Sequence, residues 1–165
     1  MISDKAKQQI DTWAEKYPEE RRSSAVMEAL KIVQAENNNQ LTPELIQAVA
    51  DHLGMPAIAA AEVATFYENY NHQAVGKHVI RFCHNISCML NGADDLIAYL
   101  EQKLGVKTGE VTADGLISVK KVECLGACVG SPMCQIGDTY HEHLTREKLD
   151  EIVDGLKWMK FVLEI

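Results

Sequence analysis

Cys83-His-Asn-Ile-Ser-Cys88 and Cys124-Leu-Gly-Ala-Cys128 hold four of the chain's five cysteines in two tight pairs. Each pair follows a β-rich run: His78-Val-Ile-Arg-Phe82 leads into the first and Leu116-Ile-Ser-Val-Lys-Lys-Val122 into the second. A strand that stops at a cysteine leaves that thiol where sheet gives way to loop. Two such loops at two strand ends can face one another across a single pocket. Gly126 and Gly130 let backbone N–H groups of the second loop approach sulfur closely. The fifth cysteine, Cys134, lies in the apolar run Met133-Cys-Gln-Ile136 and reads as a small packed thiol, not a ligand.

The segments around the cysteines alternate. Strand His78–Phe82 is followed by the first cysteine loop and a helix from about Gly92 to Leu104, closed by Gly105. A hairpin about Asp114-Gly115 leads to strand Leu116–Val122, the second cysteine loop, strand Met133–Ile136 and a helix from Thr145 to about Leu156. This order predicts a small α/β sheet domain of thioredoxin-like type. Tyr140-His-Glu-His-Leu144 reads as a solvated loop, its two histidines spaced for opposite sides of an extended chain. The tail Leu156-Lys-Trp-Met-Lys-Phe-Val-Leu-Glu-Ile165 is too apolar for a free end and is expected to pack on this chain or on a partner.

Upstream, the periodicity is helical. Ile10, Trp13, Ala14 and Tyr17 mark a first helix over Ser3–Tyr17, stopped by Pro18, and Ala25–Val33 forms a second that ends in Asn37-Asn-Asn39. Thr42-Pro43-Glu44 is a start signal, with a capping hydroxyl, a proline whose missing N–H costs nothing and an acid at the positive end of the dipole; the third helix then runs to Leu53 and Gly54. Met55-Pro56 opens a fourth, alanine-rich helix that continues into Phe66-Tyr67, aromatics that read as core or docking residues. The expected organisation is a four-helix region over 1–75 and the sheet domain over 76–165, joined at Gln73–Gly76.

The chain has 165 residues, 47% of them hydrophobic, enough for a real core without disulfide staples. An odd number of cysteines and no hydrophobic signal segment fit free or metal-bound thiols in a reducing compartment. With 16 basic and 24 acidic residues the net charge is −8, which argues against binding nucleic acid or anionic lipid. No apolar run reaches the length of a membrane span, and the N-terminus reads directly into a helix, so a cytosolic chain used as translated is expected. There is no Gly-x-Gly-x-x-Gly after a strand and no phosphate loop. Any electrons handled by this chain therefore come from another subunit.

Four thiolates suit two irons bridged by two sulfides, and they also suit a structural zinc ion. Cys-x4-Cys with Cys-x3-Cys is looser than the usual zinc knuckle, and neither pair is the Cys-x2-Cys of thiol–disulfide catalysis. His84 is not required, because four cysteines already suffice. Spacing favours iron–sulfur and leaves a zinc-stabilised interaction module as the alternative.

Glu62-Val-Ala-Thr-Phe-Tyr67, Gly76-Lys-His-Val-Ile-Arg-Phe-Cys83, Cys88 with Asn91-Gly92, and Val122-Glu-Cys-Leu-Gly-Ala-Cys128 with Pro132 and Tyr140-x-x-x-Leu-Thr145 carry a resemblance. They resemble the family of the 24 kDa subunit, also called the E subunit, of bacterial NADH–quinone oxidoreductase (respiratory complex I), a family of thioredoxin-like [2Fe–2S] ferredoxins. The resemblance runs from the second helix to Thr145. It implies one [2Fe–2S] cluster held by Cys83, Cys88, Cys124 and Cys128, and a helical region ahead of it. It also implies docking on a partner subunit that carries FMN and NADH, and through it on the other peripheral-arm subunits, on the cytoplasmic side of the inner membrane. The equivalent subunit of a soluble NAD-linked hydrogenase or formate dehydrogenase is the nearest alternative. The sequence departs from the family at Ser131, where alanine is common, at Cys134, and in the apolar tail. A spare thiol at Cys134 would be an alternative ligand if Cys128 were lost.

Overall fold

The structure is a computed structural model that describes the backbone of residues 1–163 and the side chains of residues 1–158. It divides into two compact units, Met1–Ala74 and Val75–Ile165.

The first unit is helical: α1 (Asp4–Ala14), α2 (Val26–Glu36), α3 (Pro43–Leu53) and α4 (Ala57–Phe66). Its local signals are met by hydrogen bonds. Ser3 Oγ accepts from the N–H of Ala6 at 3.0 Å and Thr42 Oγ1 from that of Leu45 at 3.4 Å, and Gly54 closes α3 in the left-handed region at φ 66°. Ile10, Leu30, Val33, Val49 and Leu53 fill the core, and Ala60 and Ala64 let α4 approach it. Helix α1 stops at Ala14, so Trp13 and Tyr17 lie partly exposed outside the core, with the Lys16 ammonium 3.2 Å from the centre of the Trp13 ring. The second helix begins one residue later than expected, and a 3-10 stretch over Glu19–Ala25 precedes it. After α4 the chain folds back over the unit: Tyr70 OH donates to Met27 O at 2.8 Å, and the buried Gln34 amide binds Asn69 O at 3.1 Å and the N–H of Asn71 at 2.7 Å. Outward, α4 exposes Ile58 (69%) and Phe66 (77%) beside the polar Glu62 and Thr65. Phe66 is thus not a core residue.

The second unit is a four-stranded sheet in the order β2-β1-β3-β4, formed by β1 (His78–Cys83), β2 (Ile117–Val122), β3 (Cys134–Ile136) and β4 (Thr139–His141). β1 and β2 are parallel, in register from His78 opposite Ile117 to Cys83 opposite Val122, whereas β3 and β4 run antiparallel. Ile80, Phe82, Ile117, Val119 and Cys134 share one face, which forms a core with Leu96, Ile97 and Leu100 of α6 (Ala93–Leu104) and Leu149, Val153 and Leu156 of α7 (Arg146–Leu163). Asp150 of α7 accepts from Tyr99 OH at 2.6 Å and Lys103 Nζ at 2.7 Å, tying α7 to α6. Gly76 is held by closeness: a Cβ there would lie 2.6 Å from the backbone carbon of Ile117, and its N–H donates to Ser118 Oγ at 3.1 Å.

Two elements correct the sequence reading. The segment between the first two cysteines is not all loop, because α5 (Ile86–Leu90) forms one helical turn carrying Cys88. Tyr140-His141 belongs to β4, so only His143 and its neighbours remain irregular. Of the apolar tail, α7 continues to Leu163, Leu156 is buried and Trp158 is exposed; the side chains of residues 159–165 lie outside the described residues. Among the described residues, no helix is long and apolar enough to cross a membrane.

Candidate metal centre

Because β1 and β2 are parallel and end level with one another, the loops that follow them leave the same edge of the sheet side by side. The ladder runs one step past the strands: the N–H of His84 donates to Val122 O at 3.2 Å. Cys83 is the last residue of β1, and its N–H donates to Met133 O at 3.2 Å. Cys88 sits within α5, Cys124 follows β2 by two positions, and Cys128 opens a short 3-10 turn over Cys128–Gly130. Topology therefore brings the first pair beside the second, although Cys124 follows Cys88 by 36 positions.

All five cysteines are free thiols; Cys83 and Cys88 are buried, Cys124 and Cys128 exposed. The sulfurs of Cys124 and Cys128 lie 3.6 Å apart. A tetrahedral metal with thiolate bonds of about 2.3 Å holds two sulfurs about 3.8 Å apart, so this pair already spans one edge of such a site. Burial pushes the Cys88 thiol up to about 11; its hydrogen bond with Cys83 and the nearby charges of Cys83 and Cys128 add to the rise, and the N–H of Met133, donating to it, opposes them. A cation bound at Cys88 would have to displace that proton. Gly126, at φ 85°, turns its N–H onto Cys124 Sγ at 3.4 Å. The donors thus meet in pairs with N–H groups on sulfur, while among the described residues no three histidine, cysteine or carboxylate side chains converge on a single ion.

The surroundings fix the second loop. Tyr140 OH donates to Leu125 O at 2.7 Å, the N–H of His143 to Gly130 O at 2.6 Å and that of Leu144 to Pro132 O at 2.9 Å. Glu142 packs over Gly130, where any Cβ would meet its side chain, and the Ser131–Pro132 bond is cis. Around the thiols stands an apolar rim of Ile86, Met89, Leu90 and Val129, the last 98% exposed.

Cys134 is not part of the set. It pairs with Phe82 across the antiparallel ladder, so its side chain shares the helix-covered face with Phe82, while Cys83, the next residue along β1, points to the other. Burial pushes its thiol up to about 12. His84 lies beside Glu123, its Nε2 3.9 Å from Oε1. Sequence reasoning missed Asn85 and Glu123 and named Asn91 and Ser131 without this role; the four polar side chains join the two loops. An asparagine directly before Ile86-Ser-Cys-Met-Leu90 and an Asn-Gly directly after it were the available signals, since both are helix-end residues.

A thioredoxin-like sheet whose parallel strands end in paired thiols defines a class of small iron–sulfur proteins. The sequence pattern described as thioredoxin-like [2Fe–2S] ferredoxin matches residues 10–157. The chain belongs to that family. It is 44% identical over 142 residues to the E subunit of NADH-quinone oxidoreductase from Rickettsia bellii (strain RML369-C), covering 86% of this chain and 85% of that protein. It is 38% identical over 151 residues to the E 2 subunit of NADH-quinone oxidoreductase from Rhizobium meliloti (strain 1021), covering 92% and 88%. Among solved structures, the air-oxidized NAD+-reducing [NiFe]-hydrogenase has a chain with the same fold, at a TM-score of 0.64 and 17% identity; the match covers 77% of this chain and 22% of that one.

Proposed function

We propose that this chain is the [2Fe–2S] electron-transfer subunit, the E subunit, of an NADH–quinone oxidoreductase, with Cys83, Cys88, Cys124 and Cys128 as the four cluster ligands. The observation that carries the reading is the pairing of free thiols at two level strand ends, in a chain similar to such subunits over more than four-fifths of both lengths. Bound there, a [2Fe–2S] group supplies a one-electron couple. The chain's own part is to hold and tune it. Cys83 and Cys88 present thiolates from a buried side and Cys124 and Cys128 from an exposed one, while the N–H groups of Gly126 and Met133 oppose the negative charge that an added electron brings. Hydride from NADH goes to a flavin on a partner subunit, and this chain takes one electron of the pair. The hydrogenase reading rests on fold likeness alone at 17% identity and is the weaker one. Iron analysis and low-temperature EPR on anaerobically purified protein test the proposal: about two irons per chain, silent when oxidised and giving a spin-half signal when reduced, are expected. One zinc and no signal would make the four cysteines a structural clamp.

The partner is the flavin- and NADH-binding subunit of the same complex, with the chain peripheral to the cytoplasmic face of the membrane. The two exposed apolar side chains of α4, Ile58 and Phe66, support this as a docking face. Placing a charge there with Phe66→Asp is expected to weaken co-purification of the flavin subunit by about thirtyfold, as loss of an aromatic hot spot of about 2 kcal/mol would. Unchanged recovery would remove α4 from the interface.

A further inference from the structure

Helix α5, which carries Cys88, is five residues long and has an asparagine at each end, Asn85 as N-cap and Asn91 as C-cap. Each amide makes one local bond. Asn85 Oδ1 accepts from the N–H of Ile86 at 2.7 Å, and Asn91 Nδ2 donates to Ser87 O at 2.7 Å. Each also reaches across to the other ligand loop. Asn85 Nδ2 donates to Glu123 Oε2 at 2.7 Å, and Asn91 Nδ2 to Ser131 Oγ at 2.9 Å. Glu123 immediately precedes Cys124, and Ser131 lies three residues beyond Cys128. A single helical turn has little stability of its own, so its position is set by what holds its ends.

We propose that Asn85 and Asn91 are positioning residues: two side-chain clasps, onto Glu123 and Ser131, that fix the Cys88 helix against the Cys124/Cys128 loop. The inference rests on the reading that these cysteines bind a [2Fe–2S] group. The clasps set the spacing at which the two halves of the ligand set meet, and hence how firmly the set retains its metal. The Glu123 carboxylate adds a negative charge beside Cys124 that disfavours a further electron, so it also holds the potential down.

Three variants of the full-length, cluster-loaded protein separate these roles. Asn85→Ser keeps a capping acceptor for Ile86 but is too short to reach Glu123; Ser131→Ala removes the second clasp; Glu123→Gln keeps an acceptor for Asn85 and removes the charge. Bleaching under an iron chelator is expected to be about three- to tenfold faster in each of the first two, the factor one modest hydrogen bond carries, and faster again in the double variant. Glu123→Gln is expected to bleach more slowly than the Asn85 variant, because an acceptor remains, and to show a midpoint potential, from EPR-monitored titration, shifted positive. The unloaded Ser131→Ala chain is expected to melt with the wild type, which sets the effect apart from a general loss of fold. A double variant that bleaches at the wild-type rate with a wild-type EPR line shape overturns the clasps while leaving the function standing. A wild type that carries no iron overturns both.

Discussion

Replacing Cys128 with serine is expected to yield a folded but colourless protein, with no spin-half signal after reduction and iron near background. Cys128 is exposed in a short 3-10 turn, so its sulfur adds little to the core, and far-UV circular dichroism is expected to be unchanged. Its sulfur closes a pair 3.6 Å wide with Cys124, and a serine hydroxyl does not ionise near neutral pH to replace a soft thiolate. The spare thiol is not expected to take over. Cys134 faces the helix-covered side of the sheet, fully buried, with burial holding its proton up to about 12. Cys128→Ser alone and Cys128→Ser with Cys134→Ala are therefore expected to be equally bleached. Two irons and a normal signal in the single variant would remove Cys128 from the ligand set, and iron that vanishes only in the double variant would show that Cys134 reaches the centre after all.

Phe82→Ala is expected to cost the second unit about 3–5 kcal/mol, the range for truncating a fully buried aromatic. Phe82 is wholly shielded from solvent, pairs with Cys134 and belongs to the core formed with α6 and α7. Single domains retain only about 5–15 kcal/mol in all, so a loss of this size takes a large share. The measurement is urea unfolding of the metal-free, reduced chain, because a bound group stabilises the native state by mass action and would mask the loss. A midpoint within error of the wild type would mean that the space behind β1 collapses around the smaller side chain.

The helices and the long strands were legible because their signals are local. Thr42-Pro43-Glu44 and Gly54 bracket α3 by capping chemistry that depends on nothing distant. The cysteine pairs were legible for the same reason, since spacing and flanking strands are both in the sequence. Short elements were not. One turn is too brief for periodicity to register, so α5 showed only through its caps; β4 was hidden by the polar run after Gly137-Asp138, which suggests a loop although that pair is itself a two-residue hairpin turn. Trp13 and Tyr17 fall at helical spacing with Ile10, yet periodicity does not say which apolar positions a neighbour covers; the core takes Ala6, Ile10 and Ala14 and leaves the aromatics outside. The ties from Asn85 to Glu123 and from Asn91 to Ser131 span 38 and 40 residues, and only the parallel register of β1 and β2 brings those partners within reach.

That register also imposes an order in time. Cys88 leaves the ribosome 36 residues ahead of Cys124, and β1 has no parallel neighbour until β2 has been made. At about 5–20 residues per second, the first two thiols wait about 2–7 s for the second pair to be synthesised. For the proposed ligand set, no four thiols are together until Cys128 has been made, so metal insertion follows synthesis of the second loop, and the nascent first pair must be kept reduced until its counterpart arrives.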